Sequence, residues 1–218
     1  MVKMSYGSSL IQELKDNGIT HQGVLDAIKK VPREAFISSD LQYRAYDNTA
    51  LPIDSKQTIS QPYVVALMTQ SLFEHPHPQK ILEIGTGSGY QAAILATLFK
   101  EVWTIERIEL LHLKAKKVLT ELKFNNVHFK LGDGTLGWPE AAPFDGIIVT
   151  AAITAPPSAL MEQLSPNGGI MVIPLGAYHQ VQKLTILERN QNVMTQKVVE
   201  LVSFVPLIAD HKISPNAK

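Results

Sequence analysis

A chain of 218 residues, 45% of them hydrophobic, is long enough to close one sizeable core, and its length fits a single domain. Its 20 Lys and Arg balance 20 Asp and Glu, so it lacks the basic excess by which proteins hold nucleic acid or anionic lipid. With no cysteine, disulfides, thiolate catalysis and cysteine-based zinc sites are excluded together.

The opening residues MVKMSYGSSL carry no apolar targeting core, and no stretch approaches the ~20 apolar residues that span a bilayer. A cytoplasmic protein that does not enter the membrane is expected. Helical patterns follow in SLIQELKDNG, closed by Gly18, in VLDAIKKV, and in PYVVALMTQSLF. Residues 44–57 between the second and third are polar, contain Pro52 and show neither helical nor strand period, which predicts a loop over the active edge of a sheet. Residues 1–75 therefore read as a helical cap carrying a substrate loop. HPHP at 75–78 reads as a rigid linker; with no third ligand nearby in sequence, no metal site is expected.

From about residue 76 the pattern changes to alternation. KILEI, EVWTIE, VHFKL, FDGIIV and GGIMVIP are short apolar runs, separated by the helical stretches YQAAILATLF, LLHLKAKKVLTEL and SALMEQL. Such alternation predicts an α/β protein with a mostly parallel sheet covered by helices on both faces. VQKLTILE and VVELVSFVPL read as two more strands with no helix between them, so an antiparallel pair is expected to finish the sheet.

Gly85, Gly87 and Gly89 stand where a strand meets a helix, a place where glycine lets the backbone turn tightly and approach a ligand. A dinucleotide fingerprint would need its last glycine at Tyr90, and no Gly-Lys-Ser/Thr follows to make a nucleotide triphosphate loop. Glu106 ends the next strand, 17 residues after Gly89, where a carboxylate can accept from both hydroxyls of a ribose. Gly132-Asp133-Gly134 follows the strand after that and offers a second acid, suited to an adenine amino group. An adenosine pocket without a phosphate clamp points to S-adenosylmethionine.

Several segments then resemble the protein-L-isoaspartate O-methyltransferase family over nearly the whole chain. They are VPREAF at 31–36, LPI with QTISQPYVVA at 51–66, LEIGTGSGY at 82–90, ERI at 106–108, GDG at 132–134, PFDGIIVTAA at 143–152 and FVPL at 204–207. The glycine loop and Glu106 indicate only a methyltransferase, whereas TISQPY is specific to this family. The resemblance implies a Rossmann-like, doubly wound, class I methyltransferase fold with an antiparallel C-terminal strand and an N-terminal helical flank, in a single domain spanning 1–218. It implies cofactor contacts from Gly85, Thr86, Gly87, Ser88, Gly89, Glu106, Arg107, Gly132, Asp133, Gly134 and Thr150. Substrate contacts fall on Thr58, Ile59, Ser60 and Gln61, with Ser60 as the catalytic position.

The implied reaction moves a methyl group from S-adenosylmethionine, leaving S-adenosylhomocysteine, to the α-carboxylate of L-isoaspartyl residues in damaged proteins and peptides. No obligate protein partner is expected. Ser60 precedes Gln61-Pro62 and is expected to cap the helix they begin, whose N-H groups and positive dipole end suit a carboxylate. Two departures bear on substrate affinity. Bacterial members usually carry Gly-x-Gly before QTIS, where this chain has Asp54-Ser55-Lys56; they tend to carry Arg before FVPL and glycine after it, where Ser203 and Ala209 stand. Asp54 is expected to repel an anionic substrate, and the missing glycines to stiffen the loop. The competing readings are a methyltransferase of the same fold acting on another carboxylate or small molecule, and a noncatalytic module that binds S-adenosylmethionine.

Overall fold

The computed structural model describes residues 3–209, so the ends of the expected 1–218 domain, 1–2 and 210–218, lie outside the described residues. The chain begins with α1 (Lys3–Asp16) and α2 (Gln22–Lys30), and then passes through two 3-10 turns, Arg33–Phe36 and Ser39–Arg44. The 44–57 stretch is not wholly irregular. Strands β1 (Leu51–Pro52) and β2 (Thr58–Ile59) pair antiparallel around a 3-10 turn at Asp54–Lys56, and α3 (Pro62–Ser71) follows directly. Two-residue strands are too short to leave a period in the sequence, which is why the hairpin reads there as loop.

The alternating region then builds β3 (Lys80–Ile84), α4 (Tyr90–Leu98), β4 (Glu101–Glu106), α5 (Glu109–Glu121), β5 (Val127–Leu131), β6 (Gly146–Val149), α6 (Ser158–Gln163) and β7 (Asn167–Leu175). β8 (Gln182–Asn190) and β9 (Val193–Val202) complete one seven-stranded sheet of order β5-β4-β3-β6-β7-β8-β9. The first five of these strands pair in parallel, and β8 and β9 pair antiparallel. β9 begins earlier than its apolar run because Val193 to Lys197 face solvent and carry little hydrophobic signal. It also ends earlier: residues 203–207, expected to continue the strand, leave it, and Pro206 bridges Ala152 beyond the end of β6.

The central strands are buried on both faces, and successive side chains divide between two cores. Ile81, Val102, Ile148 and Val172 join one cluster with Leu14, Val24, Ile28 and Val65 of the N-terminal helices; Leu82, Ile84, Ile105, Ile147 and Val149 join the other, with Leu160 of α6. Each such side chain contributes about 1.5–3 kcal/mol by leaving water. α4 lacks a polar stripe for a related reason. Its residues Tyr90 to Leu95 are all buried, since the helix is covered by α2 and α3 as well as by the sheet.

From β3 the chain winds outward to β4 and β5, then returns to lay β6 on the other side of β3. The strand order reverses at that point, and loops leaving the carboxyl ends of β3 and β6 must diverge, which opens a crevice. Among the described residues no helix is long and apolar enough to cross a membrane.

Candidate active site

The crevice is lined where β3, β4 and β6 end. Gly85 has φ +92°, and a Cβ there would overlap the Thr150 hydroxyl, which donates to the carbonyls of Ile84 at 3.0 Å and Gly85 at 2.6 Å. Only glycine permits this close approach, and Thr150 thereby fastens β6 to the glycine loop. Gly87 has φ +55°, and a Cβ on it would meet nothing within 4 Å. Gly89, at φ +90°, serves packing as well as the turn, because a Cβ there would come within 3.1 Å of Ala115 on α5.

Glu106 is 5% exposed, and both of its oxygens are aimed by backbone donors. Gly87 N-H donates to Oε2 at 2.8 Å and Ile108 N-H to Oε1 at 2.9 Å. Each oxygen accepts one bond from the protein and has capacity for another, so the pair can take two hydroxyls of a diol. The acid and the glycine loop fix one another: the same Gly87 amide that needs a tight turn also orients the carboxylate.

A second acid lies underneath. Glu83 of β3 is wholly buried; the Thr104 hydroxyl donates to its Oε2, Thr86 and Thr104 hydroxyls lie 2.6 Å apart, and Oε1 has no partner among the described residues. Burial pushes the Glu83 carboxyl up to about 8, the Thr104 bond opposes this, and the nearby Glu106 charge adds to it. A group whose folded value is raised contributes stability that is full below its unfolded value and is lost as pH rises through about 8. Glu83→Gln keeps the acceptor without the charge. Its melting temperature is expected to vary less than the parent's between pH 5 and 8.5, with an advantage on the order of a few kcal/mol at the alkaline end. Parallel pH profiles in scanning calorimetry would show that Glu83 does not titrate in this range.

The hairpin delivers the other wall. β2 carries Thr58 and Ile59 to the crevice, and Ser60 follows at its rim. Ser60 does not cap α3. The N-cap is Gln61, without a side-chain bond, and the cap comes from Asn48, whose Oδ1 accepts from Tyr63 N-H at 2.9 Å. Pro62 has no N-H and that of Tyr63 is occupied, so the helix start offers fewer donors than its sequence promises, while the Ser60 hydroxyl is not spent on capping.

At the hairpin tip, Ser55 and Lys56 both have φ +57°, so the turn reaches the left-handed region without glycine, at about 1–2 kcal/mol for each residue. Asp54 is not an isolated charge. Lys114 Nζ of α5 lies 2.8 Å from its Oδ2 and holds its carboxyl below the usual range, so the expected repulsion is countered by a tether between half-exposed partners.

Of the residues singled out from the sequence, Thr58, Ile59, Ser60, Gly85, Thr86, Gly87, Ser88, Glu106, Arg107, Gly134 and Thr150 line one crevice. Gln61, Gly89, Gly132 and Asp133 lie outside that lining. Gln61 donates to Asn48 O at 2.9 Å; Asp133 Oδ1 accepts from the Thr135 N-H at 2.8 Å and hydroxyl at 2.7 Å, capping its own turn. Sequence reasoning missed Gln57, Tyr90, Gln91 and Leu111, and it missed the 205–208 segment. That segment is tied down by Ala152, through Ala152 N-H to Val205 O at 2.8 Å and Leu207 N-H to Ala152 O at 2.7 Å. The FVPL resemblance was its only signal.

The profile of the family described as protein-L-isoaspartate(D-aspartate) O-methyltransferase matches residues 5–212. A protein-L-isoaspartate O-methyltransferase of Shewanella sp. (strain ANA-3) is 50% identical over 207 residues, covering 95% of this chain and 96% of the relative. One from Shewanella frigidimarina is 50% identical over 200 residues, covering 92% and 93%. Among solved structures, a protein-L-isoaspartate O-methyltransferase superimposes with a TM-score of 0.80 at 27% identity; the match covers 92% of this chain but spans only 65% of that protein's length. A Plasmodium falciparum protein, described as a beta-aspartate methyltransferase in complex with S-adenosyl-L-homocysteine, gives 0.79 at 25% identity, covering 92% and 97%.

Proposed function

The chain belongs to the protein-L-isoaspartate(D-aspartate) O-methyltransferase family, and from that premise we propose that the crevice is its active site, with Ser60 holding the substrate carboxylate. The enzyme transfers a methyl group from S-adenosylmethionine to the free α-carboxylate of L-isoaspartyl residues in damaged proteins and peptides, which starts their repair through a succinimide. One observation carries the assignment of the site: the glycine loop, the oriented Glu106 carboxylate and the Thr58–Ser60 segment line a single crevice.

The residues fit the cofactor. Gly87 leaves open space where any other residue would place a Cβ, and Glu106 presents two oriented acceptors, the set that the two hydroxyls of a ribose diol require. In this reading Gly85, Thr86, Gly87, Ser88, Arg107, Gly134 and Thr150 surround the nucleoside and its amino acid tail. Gly89, Gly132 and Asp133 shape that wall from behind. When bound, S-adenosylmethionine supplies an electrophilic methyl on a sulfonium sulfur.

The acceptor needs little activation, because a carboxylic acid with a pKa near 4 is already ionised at neutral pH. No general base has to be found among these residues. Their task is to orient an existing nucleophile in line with the methyl and to exclude water. The Ser60 hydroxyl donates to one carboxylate oxygen and leaves the other to attack; Thr58, Ile59 and Gln61 shape the segment around it. After release, the neighbouring backbone nitrogen attacks the ester carbonyl, its proton leaves with the methoxy group as methanol, and the succinimide closes without further help from the protein.

We take residues 1–218 to work as one cytoplasmic domain with no obligate partner. In support, a single core cluster runs from Leu10 of α1 to Val202 of β9, joining the helical cap to the sheet. The test is tritiated methyl transfer to an isoaspartyl peptide and to its normal aspartyl counterpart. Transfer to the isoaspartyl peptide alone is expected. Transfer to neither, with S-adenosylmethionine still bound, would overturn the substrate assignment.

A further inference from the structure

Arg33 does not line the crevice, yet it is among the largest fully buried side chains, at 1% exposure. A buried guanidinium ordinarily meets a carboxylate, but this one meets backbone. Nη1 donates to Ala45 O at 2.8 Å and to Asp47 O at 3.4 Å; Nη2 donates to Thr49 O and Ser60 O, both at 3.0 Å. Asp47, the carboxylate whose charge acts on this guanidinium, is engaged by Arg44 at 2.9 Å. Nε of Arg33 is buried without a partner among the described residues, and burial lowers the pKa of the guanidinium.

The acceptors explain this placement. Residues 45–49 and Ser60 lie outside helices and sheets, and carbonyls in such a segment need donors from elsewhere. One planar fork supplies them, so the 45–49 segment and Ser60 are held to one rigid group. The same segment then holds α3, since Asn48 caps Tyr63 N-H and its carbonyl accepts from Gln61. On its other side the Arg33 guanidinium carbon lies 5.8 Å from the centroid of the Tyr90 ring, which lines the crevice and directly follows the glycine loop.

We propose that Arg33 is a positioning residue for methyl transfer: by gathering four carbonyls, it sets the place of Ser60 and of the start of α3 relative to the glycine loop, and it touches neither reactant. The proposal rests on the reading of Ser60 as the carboxylate-holding residue. A merely structural arginine would lower stability and cofactor affinity together. A positioning arginine separates them.

The experiment compares the parent with Arg33→Lys, Ser60→Ala and the double variant, measuring kcat and KM for an isoaspartyl peptide, the Kd for S-adenosylmethionine and the melting temperature. Lysine keeps the charge but cannot bridge carbonyls in a fixed plane. Arg33→Lys is expected to lower kcat/KM about 10- to 100-fold, the scale of a small misplacement of reacting groups, with the cofactor Kd within about twofold of the parent. The double variant should lose little beyond Ser60→Ala, because the first change acts through the second residue. Unchanged kcat/KM in folded Arg33→Lys, parallel loss of cofactor binding, or additive losses in the double variant would each overturn the proposal. If Ser60→Ala alone is neutral while Arg33→Lys is impaired with cofactor binding intact, the Ser60 assignment fails and positioning of the segment stands. Asn48→Ala covers the case in which Arg33→Lys does not fold. It breaks the link from the segment to α3 without disturbing the buried charge, and an unchanged kcat/KM in that variant would count against the proposal.

Discussion

Glu106→Ala is expected to weaken S-adenosylmethionine binding by about 1.5–3 kcal/mol, the usual scale for hydrogen bonds to a charged group, or roughly one to two decades in Kd. Two losses combine in this variant. The carboxylate proposed to meet the ribose diol disappears, and so does the acceptor that holds Gly87 N-H at 2.8 Å and thereby the turn of the glycine loop. Asp133→Ala should cost less. Asp133 stands outside the crevice lining, and one of its oxygens is committed to Thr135, so its removal disturbs a turn before it disturbs a ligand. Isothermal calorimetry on both variants decides the order. An unchanged Kd in Glu106→Ala would remove Glu106 from the pocket, and greater damage at Asp133 would reverse the roles of the two acids.

How much of this arrangement was legible in sequence depended on the reach of the interactions that produce it. The glycine loop and Glu106 could be read because both follow from local rules: a strand, three glycines at spacing two, a helix, then an acid at the end of the next strand. The parallel order of β3 to β7 followed from alternating periods. The hairpin formed by β1 and β2 could not be read, as two residues carry no period and the pairing depends on Leu51 meeting Ile59 across a turn. For α3 the cap was misread for a similar reason. Ser60 is the local candidate, but Asn48, fifteen residues before the Tyr63 N-H it caps, supplies the bond. Lys114 lies sixty residues from Asp54, and nothing near the Asp54-Ser55-Lys56 turn announces that its charge is paired. Arg33 was visible only as a letter in VPREAF; its four acceptors come together through folding.

Ser60→Ala is expected to lower kcat/KM for an isoaspartyl peptide by roughly one to three decades while leaving a measurable rate and an unchanged cofactor Kd. The reasoning starts from the substrate, whose carboxylate is ionised before it reaches the enzyme, so the hydroxyl orients and does not deprotonate. Loss of orientation slows the reaction; it does not abolish it. The geometry agrees with such a role, since Asn48 has taken over the capping of α3 and Ser60 is held by its carbonyl to Arg33, which leaves its side chain for another partner. The same argument fixes the pH dependence. Above pH 6 the profile of kcat/KM should lack the rise that belongs to an essential base on the free enzyme. The titration of Glu83 near 8 acts in the opposite sense, through declining stability, and so can only bend the alkaline limb downward. A steep rise centred near pH 7, or complete loss of activity in Ser60→Ala with cofactor binding intact, would show that a proton is transferred in the rate-determining step and that Ser60 takes part in moving it.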